Sequence, residues 1–263
     1  MQGKSIVVTG ASSGIGAAFA RLAGAAGAKV LLVARREKEL EQVASEIGRG
    51  AVPLVADVTK RAQVDLARGV ALDCFGRIDV WINNAGRGIT RSVSELTDDD
   101  IDEMMQVNLK SALYGMQAVL PLFRERGSGH IINISSMLGR VPLAPMRSAY
   151  SAAKSALNAL TASLRMELRA QYPDIHVSTI HPGVVATDFG QNALHGGPDS
   201  RKLPSAQTAE QVAQVIADVI GHPRADVYTQ PAGRQMIAAY YAAEDMGDAE
   251  RKPPFAFAAP AKP

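Results

Sequence analysis

The chain has 263 residues, and 28 lysines and arginines against 26 aspartates and glutamates give it a formal net charge of +2. This balance lacks the basic field that a nucleic-acid-binding protein needs to neutralise phosphates. The single cysteine, Cys74, excludes an intrachain disulfide and fits a reducing compartment. Neither a secretory signal nor the roughly 18–20 apolar residues of a membrane helix is visible. We therefore expect a cytoplasmic protein with no nucleic-acid or membrane partner.

Short apolar segments alternate with helix-length segments along most of the chain. The predicted strands are 5–9, 29–33, 52–56, 78–82, 130–135, 176–180 and 225–229, and the predicted helices are 14–26, 37–48, 60–75, 97–126, 149–171 and 207–221. Short, nearly continuous apolar strands are typical of a parallel sheet that is covered on both faces. The alternation predicts an α/β fold of the doubly wound, three-layer Rossmann type with a mainly parallel seven-stranded sheet.

No linker divides the chain, so we interpret residues 1–263 as a single domain. After about residue 232 the composition becomes rich in alanine and proline. We expect the segment 232–263 to be a C-terminal tail that is either mobile or packed on a neighbouring subunit.

A glycine-rich turn, TGASSGIG at 9–16, follows the first predicted strand. Glycines permit positive φ and a close approach of the backbone to a ligand, and the start of the following helix suits a pyrophosphate. The predicted cofactor contacts in this turn are Gly10, Ser12, Ser13, Gly14, Ile15 and Gly16. The spacing differs from the common dinucleotide fingerprint, so a turn that binds nothing is an alternative. The pattern G-x-S-x-G at 10–14 also matches the nucleophile elbow of α/β-hydrolases, although only one strand precedes Ser12.

The end of the second strand bears on which dinucleotide would bind. An acidic residue about 20 positions past the glycines favours NAD, and a nearby arginine favours NADP. Here Ala34 lies 18 residues after Gly16 and is followed by Arg35 and Arg36. Because a guanidinium can bind a phosphate in a bidentate manner, we expect NADP(H) to be preferred, with NAD(H) possible. The alternative is that both arginines only begin a solvated helix.

Tyr150 and Lys154 lie four residues apart, on one face of a predicted helix. A lysine cation beside a tyrosine stabilises the phenolate and lowers the tyrosine pKa from about 10, which makes proton transfer near neutrality easier. Such a pair on its own is also common on protein surfaces. However, Ser136 and Asn84 follow buried strands, where doubly wound sheets place their ligands, and Asn108 lies inside a predicted helix.

Together these motifs resemble the short-chain dehydrogenase/reductases, in their shorter single-domain branch, over about residues 5–190. The matching motifs are TGASSGIG at 9–16, Asp57-Val58, NNAG at 83–86, the set Asn108, Ser136, Tyr150 and Lys154, and Pro182-Gly183 leading to Thr187. The resemblance implies that Tyr150 is the general acid in reduction and the base in oxidation. It implies that Lys154 lowers the pKa of Tyr150 and holds the nicotinamide ribose, that Ser136 donates to the substrate oxygen, and that Asn108 anchors a water molecule.

The resemblance also implies further contacts with the cofactor. Asp57 and Val58 would lie at the adenine, and the other implied contacts are Asn84, Ala85, Gly86, Tyr150, Lys154, Pro182, Gly183, Val185 and Thr187. Two features depart from the pattern of that family. Ser136 and Tyr150 are 14 residues apart, one more than expected, and Ser13 replaces the basic residue of some NADP-preferring members.

The function predicted from these features is an NADP(H)-dependent oxidoreductase that acts on a small-molecule carbonyl or secondary alcohol. In such an enzyme the nicotinamide transfers the hydride, and the protein positions the reactants and supplies the proton. The alternative is a non-catalytic cofactor-binding or scaffolding protein of the same fold. No metal site is predicted.

Three loops, at 87–95, 137–148 and 188–206, are expected to build the substrate pocket, with the last as the substrate loop. An apolar carbonyl compound is the expected substrate. An anionic one remains open because these loops carry Arg87, Arg91, Arg140, Arg147 and Arg201. The helices at 97–126 and 149–171 are apolar on more than one face, so we expect a homodimer or homotetramer through them, with burial inside one subunit as the alternative.

Overall fold

The strands of the protein form one doubly wound sheet. The computed structural model describes residues 1–203 and 205–256. The sheet has seven strands in the order β3-β2-β1-β4-β5-β6-β7, and its strand pairs are parallel. The strands are β1 Ser5–Thr9, β2 Lys29–Ala34, β3 Ala51–Val55, β4 Val80–Asn83, β5 Gly129–Ile134, β6 Ile175–His181 and β7 Asp226–Tyr228. This arrangement confirms the predicted α/β class.

The helices cover both faces of the sheet. They are α1 Gly14–Ala25, α2 Glu37–Ile47, α3 Arg61–Phe75, α4 Asp98–Met105, α5 Ser111–Arg126, α6 Ser148–Leu168, α7 Ala209–Gly221, α8 Pro231–Tyr241 and α9 Met246–Glu250. Side chains of α1, α2 and α7 pack with Ile6 and Val8 on one face, and those of α3, α5 and α6 pack with Val7 and Trp81 on the other. Both faces are buried, which explains why the strands are continuously apolar.

The order of the strands reverses between β1 and β4. From β1 the chain proceeds outward to β2 and β3, and it then returns to β4 on the other side of β1. In open α/β sheets, ligands bind outside the carboxyl ends of the strands at this reversal. The turn after β1 and the residues after β4 and β5 therefore lie where a site is expected.

The segment 97–126, expected as one helix, is interrupted. Thr97 caps α4, with its hydroxyl accepting from the Asp100 amide at 3.2 Å, as the sequence suggests. Between α4 and α5 the chain forms a π-helical segment, Gln106–Lys110. The Asn108 amide donates to the carbonyl of Met104, four residues earlier, at 3.1 Å. This side chain competes for a carbonyl that the regular helix would use, so the turn widens.

The segment expected to be a tail instead begins with two helices that pack on the same chain. Pro231 occupies the first turn of α8, where its missing N–H costs nothing. Ile237 and Tyr240 are buried against Val141. Alanine has a high helix propensity, so an alanine-rich composition is compatible with helices as well as with the tail that we expected. Residues 257–263 of the expected tail, and residue 204 of the substrate loop, lie outside the described residues. Within the described ranges, no helix is long and apolar enough to cross a membrane.

Candidate active site

The turn after β1 is packed so closely that it requires glycine. Gly10 and Gly14 have φ values of +67° and +54°. A β-carbon at Gly10 would lie 2.9 Å from the Cα of Ala85, and one at Gly16 would lie 2.6 Å from the Asn84 side-chain amide. That amide also donates to the Gly10 carbonyl at 3.2 Å. Asn84, which follows β4, thus packs against the turn after β1 and stabilises it by a hydrogen bond.

The start of α1 lacks a capping side chain. Ser13 is the N-cap residue, yet its hydroxyl accepts no hydrogen bond from the first turn of the helix. Helix starts carry unsatisfied N–H groups, so this one suits an anion. Ile15 packs against the core, and a β-carbon at Gly14 would lie 3.2 Å from the Thr187 methyl group. Thr187 therefore borders the turn.

The segment 182–187 connects the turn to the end of β5. The carbonyl of Pro182 accepts from the amide of Met137 at 3.0 Å. A β-carbon at Gly183 would lie 3.6 Å from the Met137 sulfur. Val185 pairs with Gln207 in an isolated β-bridge. This predicted segment thus runs from beside Ser136 to the glycine turn.

Arg36, rather than Arg35, contacts the glycine turn. Its Nη2 donates to the Ser12 hydroxyl at 3.0 Å and to the Ser13 hydroxyl at 2.5 Å. The Glu39 carboxylate lies 3.7 Å from its Nη1. Arg35 is exposed and makes no side-chain hydrogen bond or ion pair within the described ranges. No histidine contacts the Ser12 hydroxyl among the described residues, so nothing here supports the nucleophile-elbow interpretation.

Asp57 and Val58 follow β3, near the end of β2. The Asp57 carboxylate accepts from both the amide and the hydroxyl of Thr59, at 3.0 and 2.8 Å. Val58 is buried and packs with the core under α3. The structure therefore fixes the side chains of both residues at this edge of the sheet.

Ser136, Tyr150 and Lys154 converge after β5. Helix α6 places Tyr150 and Lys154 one turn apart, and they are only 7% and 4% exposed. The Lys154 ammonium donates to the carbonyl of Ile134 at 2.9 Å and lies 5.7 Å from the centre of the Tyr150 ring. The Ser136 side chain hydrogen-bonds to the Tyr150 phenol, so a buried phenol and a buried ammonium lie beside the Ser136 hydroxyl.

Burial shifts the acidities of this pair in opposite directions. It raises the pKa of Tyr150 to about 12, although the Ser136 side chain and the Arg147 charge pull it down. It lowers the pKa of Lys154 to about 8. In each case the charged form loses its water. We expected Lys154 to lower the Tyr150 pKa, but the pKa is raised instead, because desolvation outweighs the Ser136 hydrogen bond and the Arg147 charge.

Asn108 reaches the same place from the π-helical segment. Its side-chain oxygen accepts from the Arg87 amide at 3.1 Å, and its amide donates to the Arg87 carbonyl at 2.9 Å. A β-carbon at Gly86 would lie 2.9 Å from the Asn108 oxygen and 3.6 Å from the Lys154 ammonium. All four predicted catalytic residues therefore lie together.

A buried chain of amides behind the site was not anticipated. The Trp81 indole donates to Asn83, which donates to Asn133, and each N–O distance is 2.8 Å. Asn133 donates in turn to the Thr161 hydroxyl at 2.9 Å. This chain joins β4, β5 and α6. Its only signal in the sequence is a polar residue at the same place in two apolar strands.

His181 lies directly behind Ser136. Its ring is fully buried at the end of β6 and stacks on Tyr228, with ring centroids 4.7 Å apart. Its Nδ1 lies 3.4 Å from the Ser136 carbonyl oxygen, and its Nε2 lies 3.0 Å from the Asp226 carboxylate. Sequence reasoning missed this residue, because the partner that identifies it lies on another strand.

The loop at 188–206, which we expected to be the substrate loop, contacts both α4 and Tyr150. Asp100 accepts from Arg91 and from His195, both at 2.7 Å. These two donors hold the pKa of Asp100 well below its usual range. Further along the loop, the Phe189 ring packs edge-on against Tyr150, with centroids 5.5 Å apart.

Comparison with known proteins shows the family of this chain. The family model of the short chain dehydrogenases matches residues 4–196. An uncharacterized oxidoreductase of Staphylococcus aureus (strain MW2) is 38% identical over 214 residues, which cover 81% of this chain and 90% of that protein. An uncharacterized oxidoreductase of Staphylococcus epidermidis (strain ATCC 12228) is 35% identical over 213 residues, with the same coverage.

Solved structures are similar over most of the chain. A short chain dehydrogenase/reductase from Burkholderia phymatum in complex with NAD has a TM-score of 0.86 and 26% identity, covering 98% of this chain and 99% of that one. An alcohol dehydrogenase from Thermococcus sibiricus complexed with 5-hydroxy-NADP has a TM-score of 0.75 and 28% identity, covering 86% and 95%. This chain is an oxidoreductase and belongs to the short-chain dehydrogenase/reductase family.

Proposed function

We propose that the protein is an NADP(H)-dependent oxidoreductase that interconverts a carbonyl compound and a secondary alcohol, with Tyr150 as general acid and base. The observation that carries this proposal is the convergence of Ser136, Tyr150 and Lys154 in one buried wall beside the glycine turn. A protein that only binds the cofactor, or acts as a scaffold, does not need a buried phenol facing a serine hydroxyl. This set therefore argues against the non-catalytic alternative.

The residues around the glycine turn fit a dinucleotide. The uncapped start of α1 would hold the pyrophosphate, and the missing side chains of Gly10 and Gly16 let the turn pack closely. Arg36, Ser12 and Ser13 converge on one point at the end of β2, which supports binding of a 2′-phosphate. When bound, the nicotinamide would supply or accept the hydride. Similar structures contain NAD or NADP, so the preference rests on this cluster.

The protein's own residues would transfer the proton and stabilise the charge on the substrate oxygen. With a pKa near 12, Tyr150 keeps its proton at neutral pH, as a general acid in reduction requires. The Ser136 hydroxyl would donate to the substrate oxygen as negative charge develops there. In the oxidative direction Tyr150 must first lose its proton, so that direction gains from higher pH.

The proposal extends to a homodimer or homotetramer formed through α4–α5 and α6. On α6, Leu157 and Leu168 are buried in the core, but Leu160 and Met166 face outward, the latter 77% exposed. Exposed apolar side chains on one helix support an interface there rather than burial of both faces within one subunit. Light scattering of the wild type and of Met166→Glu tests this, and a monomeric wild type would contradict it.

Paired titrations of NADPH and NADH into the purified protein, followed by nicotinamide fluorescence, test the proposed function. We expect NADPH to bind at least about tenfold tighter, because a charge-assisted contact contributes about 1.5–3 kcal/mol. A screen of carbonyl compounds with NADPH follows. Failure of both nucleotides to bind would overturn the proposal. Tight binding without turnover of any carbonyl would favour the scaffolding alternative.

A further inference from the structure

The five arginines in the loops around the site differ in their partners. Four of them pair with carboxylates: Arg87 with Glu103 at 2.5 Å, Arg91 with Asp100 at 2.7 Å, Arg140 with Asp226 at 2.8 Å and Arg201 with Asp188 at 3.1 Å. Arg147 is the exception, because within residues 1–203 and 205–256 no carboxylate lies within ion-pair distance of it. Its charge is therefore uncompensated by the part of the chain that the structure describes.

Arg147 is held between the two loops that border the site. It is the N-cap residue of α6, and its Nη1 donates to the carbonyl of Ile89 at 3.0 Å. A β-carbon at Gly88 would lie 2.9 Å from Nη1, and one at Gly197 would lie 2.9 Å from Nη2. The backbone next to Arg147 is also held in place, since the main-chain amide of Arg91 donates to the carbonyl of Met146 at 2.9 Å. The guanidinium is thus positioned rather than free in solvent.

The guanidinium lies close to the candidate reaction centre. A β-carbon at Gly88, which would lie near Nη1 of Arg147, would also lie 3.0 Å from the Phe189 ring. That ring packs against Tyr150. Arg147, as the N-cap residue, also precedes Tyr150 by only three residues, so both lie at the start of α6. Its charge acts on the phenol, because it lowers the pKa of Tyr150.

An anion would satisfy groups that have no partner among the described residues. Burial lowers the pKa of the Arg147 guanidinium, so its charge is partly desolvated. Guanidinium has five N–H donors, and the Ile89 carbonyl is its only protein acceptor among the described residues. The Thr90 hydroxyl is buried and has no hydrogen-bond partner there either. A β-carbon at Gly197 would lie 3.0 Å from that hydroxyl, so it borders the same place as Nη2.

From this geometry we infer that Arg147, assisted by Thr90, binds an anionic group of the substrate, so that the protein acts on short oxo acids and the corresponding hydroxy acids. The inference rests on the proposed function, since it assigns the substrate class of the same site. A carboxylate would bridge to Arg147 while a carbonyl a few bonds away faces Ser136 and Tyr150. Carboxylates bind guanidinium groups with two parallel hydrogen bonds, which would also orient the carbonyl.

Matched pairs of probes test the substrate class. We would measure NADPH-dependent reduction of 3-oxobutanoate and 4-oxopentanoate beside their methyl esters. The wild type is expected to show a kcat/KM at least tenfold higher for the better acid than for its ester. Arg147→Gln should remove that advantage mainly by raising KM for the acid, and Arg147→Lys should keep part of it. Arg49→Gln removes an exposed arginine remote from these loops and serves as the control.

Two results would overturn the assignment. The first is a wild type that reduces the esters as well as or better than the acids. The second is an Arg147→Gln variant that slows acid and ester equally and shifts the pH profile of both. That second result would show that Arg147 acts on Tyr150 and not on the substrate.

Binding of an unreactive carboxylate separates this inference from the proposed function. Calorimetry would measure butanoate binding to the protein saturated with NADP⁺, for the wild type, Arg147→Gln and Arg49→Gln. Binding that Arg147→Gln alone abolishes, with no carbonyl reduced, would keep the anion subsite and overturn the reductase. Ester reduction without butanoate binding would keep the reductase and overturn the subsite.

Discussion

The ammonium of Lys154 donates to the backbone carbonyl of Ile134 at 2.9 Å, and this bond joins α6 to the last residue of β5. Lys154 is otherwise enclosed, and burial lowers its pKa to about 8. A lysine that the fold desolvates in this way lowers the stability of the protein at neutral pH. Packing therefore does not explain its presence, which is consistent with the role proposed for it at the site.

Replacing Lys154 with methionine should remove activity without destabilising the fold. The ammonium has a folded pKa near 8 and an unfolded one near 10.4, so between these values the folded protein binds fewer protons than the unfolded chain. Stability contributed by this residue therefore rises with pH across that window. We expect Lys154→Met to match or exceed the wild-type Tm at pH 7 by a few degrees. Melting curves at pH 7 to 10 check this, and a clearly lower Tm would contradict it.

Tyr150→Phe removes the phenol oxygen and little else. Because general acid catalysis typically contributes about 10²–10⁴-fold, we expect a loss of at least about a hundredfold in turnover. The affinity for NADPH should stay within about twofold, measured by nicotinamide fluorescence. A variant that keeps most of the activity would refute the role of Tyr150.

The reductive pH profile should follow Lys154. Tyr150, with a pKa near 12, stays protonated through the working range, so its proton remains available. Lys154 loses its charge as the pH rises through about 8. We therefore expect kcat/KM for reduction to be level from pH 6 to 7 and to fall above about pH 8. A profile that stays flat to pH 10 would show that the lysine charge does not matter for reduction.

Arg36 and Arg35 form a matched pair for testing the nucleotide preference. Arg36 contacts the Ser12 and Ser13 hydroxyls, and Arg35 contacts neither. Arg36→Ala should weaken NADPH binding by about 10–100-fold and leave NADH nearly unchanged, because one charge-assisted contact is lost. Arg35→Ala should have little effect on either nucleotide. If Arg36→Ala weakens both nucleotides equally, the assigned phosphate contact is wrong.

Two glycine substitutions should have opposite effects on stability. A β-carbon at Gly16 would press against the Gly10 carbonyl and lie 2.6 Å from the Asn84 amide, whereas one at Gly69 in α3 would meet no atom of the described residues within 4 Å. Gly16→Ala should lower Tm and abolish nucleotide binding. Gly69→Ala should stabilise the protein by about 0.4–1 kcal/mol, because it restricts the unfolded chain. Thermal melts and NADPH titrations of both variants check this. If the two variants had the same Tm and the same NADPH affinity, the packing described for the turn would be contradicted.

The sequence by itself determined the sheet and the order of its elements. Apolar β-branched runs predicted each strand to within about two residues at either end, and Thr97 predicted the start of α4 through its cap. The Tyr150–Lys154 spacing placed both side chains on one helical face. These features depend on periodicity and on neighbours within one or two turns, so a local reading of the chain is sufficient for them.

Only the tertiary structure decided which side chains meet across the fold. It breaks the expected long helix at Asn108, whose amide also donates to Arg87, 21 residues earlier in the chain. Arg140 pairs with Asp226, 86 residues away, whereas Arg147 meets no carboxylate in the described ranges. Burial likewise sets the Tyr150 pKa, because desolvation of the buried phenol outweighs the effect of the nearby Arg147 charge. Partners and solvation depend on elements brought together by folding, and residue spacing alone does not encode them.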